Sequence, residues 1–267
     1  MKWSFILFLP AIVSIVWALF TTMSKRRLTR AQLLLALMLL VSGFAMVSFV
    51  IYFRGKTGVW FIYDYMFHLA AVYCAPMYYI SICSLTGPRG ATLRQRQAFL
   101  LPLIYVVGLT AGAFWLGPRR YEAMCHAMQE GTASWVAGDA AYNFMLVWLH
   151  QLFPFLLLFS GFLFLLLATR KALLFQRRFN SYYVQGINGR KIDSRGIVVL
   201  SWMFLPLGAL TIYFGYFRPY YFKYWLIVLA VLMTVVQWMI GRYNHRMDYD
   251  ARYLADYIRN EMKEVES

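Results

Sequence analysis

Seven apolar stretches dominate this chain, at approximately 3–22, 31–53, 61–86, 97–117, 141–168, 196–217 and 222–241. Each is close to the ~20 residues that an α-helix needs to cross the hydrocarbon of a bilayer. No Lys, Arg, Asp or Glu falls near the middle of any of them, as the cost of centring a charge in lipid requires. Backbone groups in lipid must be satisfied within their own segment, so stretches of this length fold as helices. Composition agrees, since 61% hydrophobic and 14% charged residues leave too little polar surface for a soluble globule. The expected fold is all-α: a polytopic membrane protein whose seven-transmembrane helix bundle covers 1–241, followed by an amphipathic helix over 242–267.

Orientation follows from the basic residues. Lys25, Arg26, Arg27 and Arg30, then Arg89, Arg94 and Arg96, seven more from Arg170 to Arg195, and five after Gly241 lie on one side. Lys2, Arg54, Lys56, Arg119, Arg120, Arg218 and Lys223 lie on the other, a tally of 19 against 7. The positive-inside rule then places the N-terminus outside and the C-terminus in the cytoplasm. The first span has no basic leader and no small-residue cleavage site, so it reads as an uncleaved anchor. The net charge of +15 is a topology signal on this reading and does not by itself imply nucleic acid.

Pro76, Pro154 and Pro206 lie inside spans three, five and six, where each can kink its helix. Tyr78 and Tyr79 fit an interfacial aromatic belt, and Gly87-Pro88 ends span three before a basic inner loop. The longest inner loop contains "RKALLFQRRFNSYYVQGINGRKIDSRG". Its first part continues span five as a helix, Gly186 and Gly189 break it, and its basic groups suit anionic headgroups. The longest outer loop, 118–140, is too short for an extracellular domain.

Catalytic signatures are missing: the chain has no HExxH, GxSxG, Walker or dinucleotide-binding pattern. Cys74, Cys83 and Cys125 form no CxxC, and no metal or cofactor is implied. An enzyme is therefore not expected. Polar residues do gather in the outer half of the expected bundle. Asp64 and His68 are one helical turn apart on span three, Asn143 and His150 two turns apart on span five, and Tyr213 and Arg218 end span six. These six could line a water-accessible site for a small polar or anionic ligand. Hydrogen bonding between helices as packing glue, or a haem-ligating pair His68 and His150, are the alternatives.

Tyr243, Met247, Ala251, Leu254, Ile258, Met262 and Val265 are spaced 4, 4, 3, 4, 4, 3, an eleven-residue repeat that keeps one apolar stripe on a nearly straight helix. Across the tail after Gly241 six acids alternate with five bases, which argues against lying flat on an anionic leaflet. The stripe reads as a seam for a partner helix, from a second copy or a cytoplasmic regulator. A frayed, solvated end is the alternative.

"APMYYISICSLTGPRG" followed by "RQRQAFLLPLIYVV" resembles the P-x-x-Y-x-x-x-x-SLT segment, basic loop and helix start of the seven-helix N-terminal region of membrane-tethered AraC-type transcription regulators of anaerobic Gram-negative bacteria. "RRFNSYYVQGINGRKI" is similar to the loop before the sixth helix of that family. The resemblance implies a sensor in the bacterial cytoplasmic membrane. Such regulators continue past the seventh helix into a helix-turn-helix domain, whereas the sequence here runs to Ser267. Direct nucleic-acid binding is therefore not carried over, whether these residues belong to a longer regulator or to a receptor-like relative acting through a partner. Signal transduction is the expected function, with an unspecified small molecule as ligand. A transporter or channel subunit is the alternative, and a lipid-modifying enzyme is weaker because Asp193 is the one acid of the inner loops.

Overall fold

A computed structural model describes residues 4–24, 28–53, 60–86, 91–184 and 223–266, with the helical positions 199, 202, 203, 206, 207 and 210. Beyond His245 the backbone alone is described. The described residues form helices α1 (Ser4–Met23), α2 (Arg30–Phe53), α3 (Trp60–Thr86), α4 (Leu93–Arg96), α5 (Leu100–Leu116), α6 (Pro118–Glu130), α7 (Ala140–Leu146), α8 (Phe153–Val184) and α9 (Lys223–Glu266). A 3₁₀ turn, Gln97–Phe99, joins α4 to α5, and a π-turn, Val147–Leu152, joins α7 to α8. Among the described residues six helical stretches are long and apolar enough to cross a membrane: Phe5–Met23, Arg30–Ser48, Asp64–Ser84, Leu93–Leu116, Ala140–Phe175 and Tyr224–His245. The chain is thus a multi-pass helical membrane protein. The expected span 196–217 falls largely outside the described residues.

In lipid a large apolar side chain has no reason to hide, so small and polar residues mark the packed faces. On α1 the buried residues include Ala11, Ser14, Ala18 and Thr21, one stripe at helical spacing, while Phe5, Ile12, Val16 and Leu19 are exposed. Only 28% of its apolar window is buried, against 83% for α3, which makes α3 the central helix and α1 a peripheral one. α2 and α8 pack on α3, and α1 packs between α2 and α9. Several of these crossings depend on glycine. A Cβ at Gly43 would come within 2.7 Å of Ile15, and one at Gly241 within 2.2 Å of Trp17.

Polar clamps fix α9 to α2 at two depths. Gln237 Nε2 donates to Ser42 Oγ at 3.1 Å, and Asn244 Nδ2 donates to the Gln32 carbonyl at 3.2 Å. Gln32 also closes a capping box with Thr29: its backbone N–H donates to Thr29 Oγ1 (3.2 Å) and its side chain accepts from the Thr29 N–H (3.0 Å). Thr92 and Gln95 repeat this box at the start of α4.

Residues 118–140, expected as a loop, contain helix α6. α6 begins with Pro118 at its first turn and ends at Gly131, whose left-handed φ of 73° returns its N–H to the Met128 carbonyl. Tyr121, Met124, Cys125 and Met128, at i, i+3, i+4 and i+7, are all buried, so α6 folds back onto the bundle. Asp139 caps α7 by accepting from the Tyr142 N–H (3.1 Å) and pairs with Arg120. Pro154 lacks the N–H that would return to the carbonyl four residues back, and the turn before it widens to a π-turn. Pro76, by contrast, does not end α3. As expected, the helix of span five runs past its apolar window, to Val184, and α9 runs on through the tail.

Candidate functional site

Asp64 sits in the first turns of α3, within the stretch suited to lipid, yet it is 1% exposed. A carboxylate there needs partners, and the fold supplies them from α6 and from α3 itself. The Tyr121 hydroxyl of α6 donates to Asp64 Oδ2. The Cys125 thiol, one turn further along α6, lies 3.9 Å from the same oxygen. His68, one turn along α3, places Nε2 at 3.7 Å from Asp64 Oδ1. On the far side of the ring, His68 Nδ1 is 2.9 Å from the Tyr105 hydroxyl of α5. In the Nε2–H tautomer the ring turns its proton towards Asp64 and accepts from Tyr105.

Aromatic rings wall this chain of polar groups. Phe153 lies 4.1 Å from His68, centroid to centroid, and stacks on Tyr105 at 5.8 Å. Tyr105 stacks on Trp148 at 6.1 Å, and Trp148 Nε1 donates to the Tyr105 carbonyl at 3.1 Å. α5 accommodates this through two glycines one turn apart. A Cβ at Gly108 would fall 2.1 Å from Trp148 and one at Gly112 2.2 Å from Met145 Sδ. His68, Tyr105, Tyr121 and Cys125 are all enclosed. Burial first, and then the nearby Asp64, hold the Tyr121 hydroxyl and the Cys125 thiol well above their usual pKa ranges. Both therefore stay protonated and act as donors.

Four of the six residues expected to line a pocket fall among the described residues. Asp64 and His68 meet as the i,i+4 spacing indicates. Asn143 is buried but spends both arms of its amide on Val136, accepting from its N–H (3.0 Å) and donating to its carbonyl (2.7 Å), which stitches the loop 131–139 to α7. His150 is exposed, whereas His68 is enclosed with each ring nitrogen facing a protein partner. The seven-residue spacing of Asn143 and His150 suggests one face, but the intervening π-turn breaks the 3.6-residue register. Tyr213 and Arg218 lie outside the described residues. Of the tail stripe, Tyr243 packs half-buried against the core; Met247, Ala251, Leu254, Ile258, Met262 and Val265 are helical, with side chains outside the description.

Sequence reading did not select Tyr105, Tyr121 or Cys125. The available signals were the helical spacing of Tyr121 and Cys125 and the requirement that an intramembrane Asp64 find donors. The resulting arrangement is suited to holding two elements together. A sealed carboxylate bound by two donors of α6 makes the seating of that helix cooperative, because losing either donor strands charge-accepting oxygen in a dry site. No family model, curated protein or solved structure matches the chain.

Proposed function

We propose that the chain is a sensor of the bacterial cytoplasmic membrane that couples an event at its outer face to its C-terminal helix. On this reading residues 196–217 make a seventh crossing, the N-terminus lies outside and the C-terminus in the cytoplasm. The observation that carries the reading is the continuity of α9. It runs unbroken for 44 residues, about 66 Å at 1.5 Å per residue, while its apolar window ends at His245. A rigid rod with one half packed among membrane helices and the other beyond them moves as a unit. Contacts run from the outer network to that rod: Asp64 belongs to α3, α3 packs on α2, and α2 is clamped to α9 by Gln237 and Asn244. Displacement of α6 by a ligand withdraws Tyr121 and Cys125 from Asp64 and biases this stack, for which a coupling of about 1–3 kcal/mol suffices. The 19 against 7 distribution of basic residues supports the orientation, and the resemblance to AraC-type regulators supports transcription as the output, reached through a second copy or a cytoplasmic regulator at the tail seam.

Topology is the first test. In a background lacking the three native cysteines, Ser24→Cys and Gly90→Cys resist an impermeant thiol reagent applied to spheroplasts, while Ala133→Cys reacts. Labelling of Gly90→Cys from outside overturns the orientation and the sensor reading with it.

A further inference from the structure

A cavity of about 210 Å³ lies among α2, α3, α8 and α9, with Trp202 and Pro206 also in its lining. We infer that it binds one hydrocarbon chain of a membrane phospholipid. For scale, an apolar cavity of about 150 Å³ is large enough to take up benzene. Its wall is built from Met46 of α2, Cys74 and Ala75 of α3 and Met233 of α9, all buried. Its rim includes Leu158 and Phe162 of α8, which are 60% and 59% exposed. These residues fall within the apolar windows of their helices, at the depth that suits lipid chains.

Gly161, between those two rim residues, is the second observation. A Cβ built on Gly43, Gly108, Gly112 or Gly241 comes within 2.1–2.7 Å of a neighbouring side chain, so close packing requires each of those glycines. A Cβ on Gly161 meets nothing within 4 Å among the described residues. Glycine inside a helix loses more conformational freedom on folding than alanine does, and among the described residues no contact accounts for it. What the missing side chain leaves is room at the mouth of the cavity. The polar groups nearby are few, and Ser42 already accepts from Gln237. A linear alkyl chain asks for no more, and the thioethers of Met46 and Met233 adapt readily to such a guest. Because Met233 belongs to α9, an occupant touches the longest helix of the chain; the assignment itself does not rest on the sensor reading.

The full chain is reconstituted in nanodiscs containing a small fraction of phospholipid with a photoactivatable diazirine at mid-chain, and adducts are mapped by peptide mass spectrometry. Adducts on Met46, Cys74 and Met233, beyond those on the lipid-facing Leu37 and Leu232, are the expected result. Gly161→Leu, which fills the mouth, reduces the wall adducts at least fivefold and leaves the surface adducts unchanged. Wild-type protein with adducts on the lipid-facing positions alone overturns the proposal without recourse to any variant, as do wall adducts that Gly161→Leu does not reduce in a protein that still unfolds cooperatively. A parallel arm uses a free fatty acid with the same diazirine. Wall adducts from the fatty acid but not from the phospholipid contradict the phospholipid assignment.

Discussion

The Tyr121 hydroxyl of α6 donates to the carboxylate of Asp64, at the start of the central helix α3, with both residues enclosed. This bond joins an element outside the lipid-suited stretches to the most buried helix of the bundle. Tyr121→Phe removes the donor and keeps the ring, and is expected to cost about 1.5–3 kcal/mol, the range for a hydrogen bond to a charged group. In a double-mutant cycle with Asp64→Asn, unfolding in micelles should show a coupling of at least about 0.5 kcal/mol. Additive losses would mean that the two groups do not act on each other.

One substitution at two glycines should give opposite signs. Gly108→Ala drives a methyl group into Trp148 and is expected to destabilise by about 1–3 kcal/mol, as overpacking does. Gly161→Ala meets open space within a helix and is expected to stabilise by about 0.5–1 kcal/mol. Thermal unfolding of the two variants beside the parent decides both.

Much of the architecture was legible because lipid imposes a length and a polarity on every crossing, and six of the expected spans appear among the described residues. The Asp64–His68 pair was legible for a similar reason, since i,i+4 spacing on a helix fixes neighbours locally. Tyr105, Tyr121 and Cys125 were not, because their meeting with Asp64 depends on how α5 and α6 fold back in space. Helix α6 hid within a loop read by its charges, although Tyr121, Met124, Cys125 and Met128 carry a helical period. The pairing of Asn143 with His150 failed at the π-turn before Pro154, where an ideal helical wheel no longer applies.

Cys125 gives a pH signature outside the membrane segments. Its thiol is raised well above the usual range by burial and then by Asp64, whereas an unfolded thiol titrates near pH 8.5. Above that pH the unfolded chain binds fewer protons than the folded one, so stability is fully present below about pH 8.5 and falls as pH rises. At one unit above the unfolded value the loss amounts to about 1.4 kcal/mol. With Cys74 and Cys83 replaced, the fall in Tm between pH 7.5 and 9.5 should shrink on Cys125→Ala; an unchanged fall would assign it to other groups.

Asn143 holds Val136 through both arms of its amide. Asn143→Ala should release residues 132–138 and speed hydrogen exchange at the Val136 amide by tenfold or more, as loss of about 1.4 kcal/mol of local protection does. Exchange within α3 should not change. Equal acceleration in both places would point to global destabilisation.

The central claim is that the outer network and the tail are energetically coupled. The direct measurement is disulfide cross-linking in membranes through Leu254→Cys, with Asp256→Cys as the off-seam control, in a cysteine-free background with and without Tyr121→Phe. The account predicts efficient cross-linking at Leu254→Cys, little at Asp256→Cys, and a change of about fivefold or more at Leu254→Cys when Tyr121 loses its hydroxyl. Equal cross-linking at the two tail positions, or a Leu254→Cys yield indifferent to Tyr121→Phe, would contradict it.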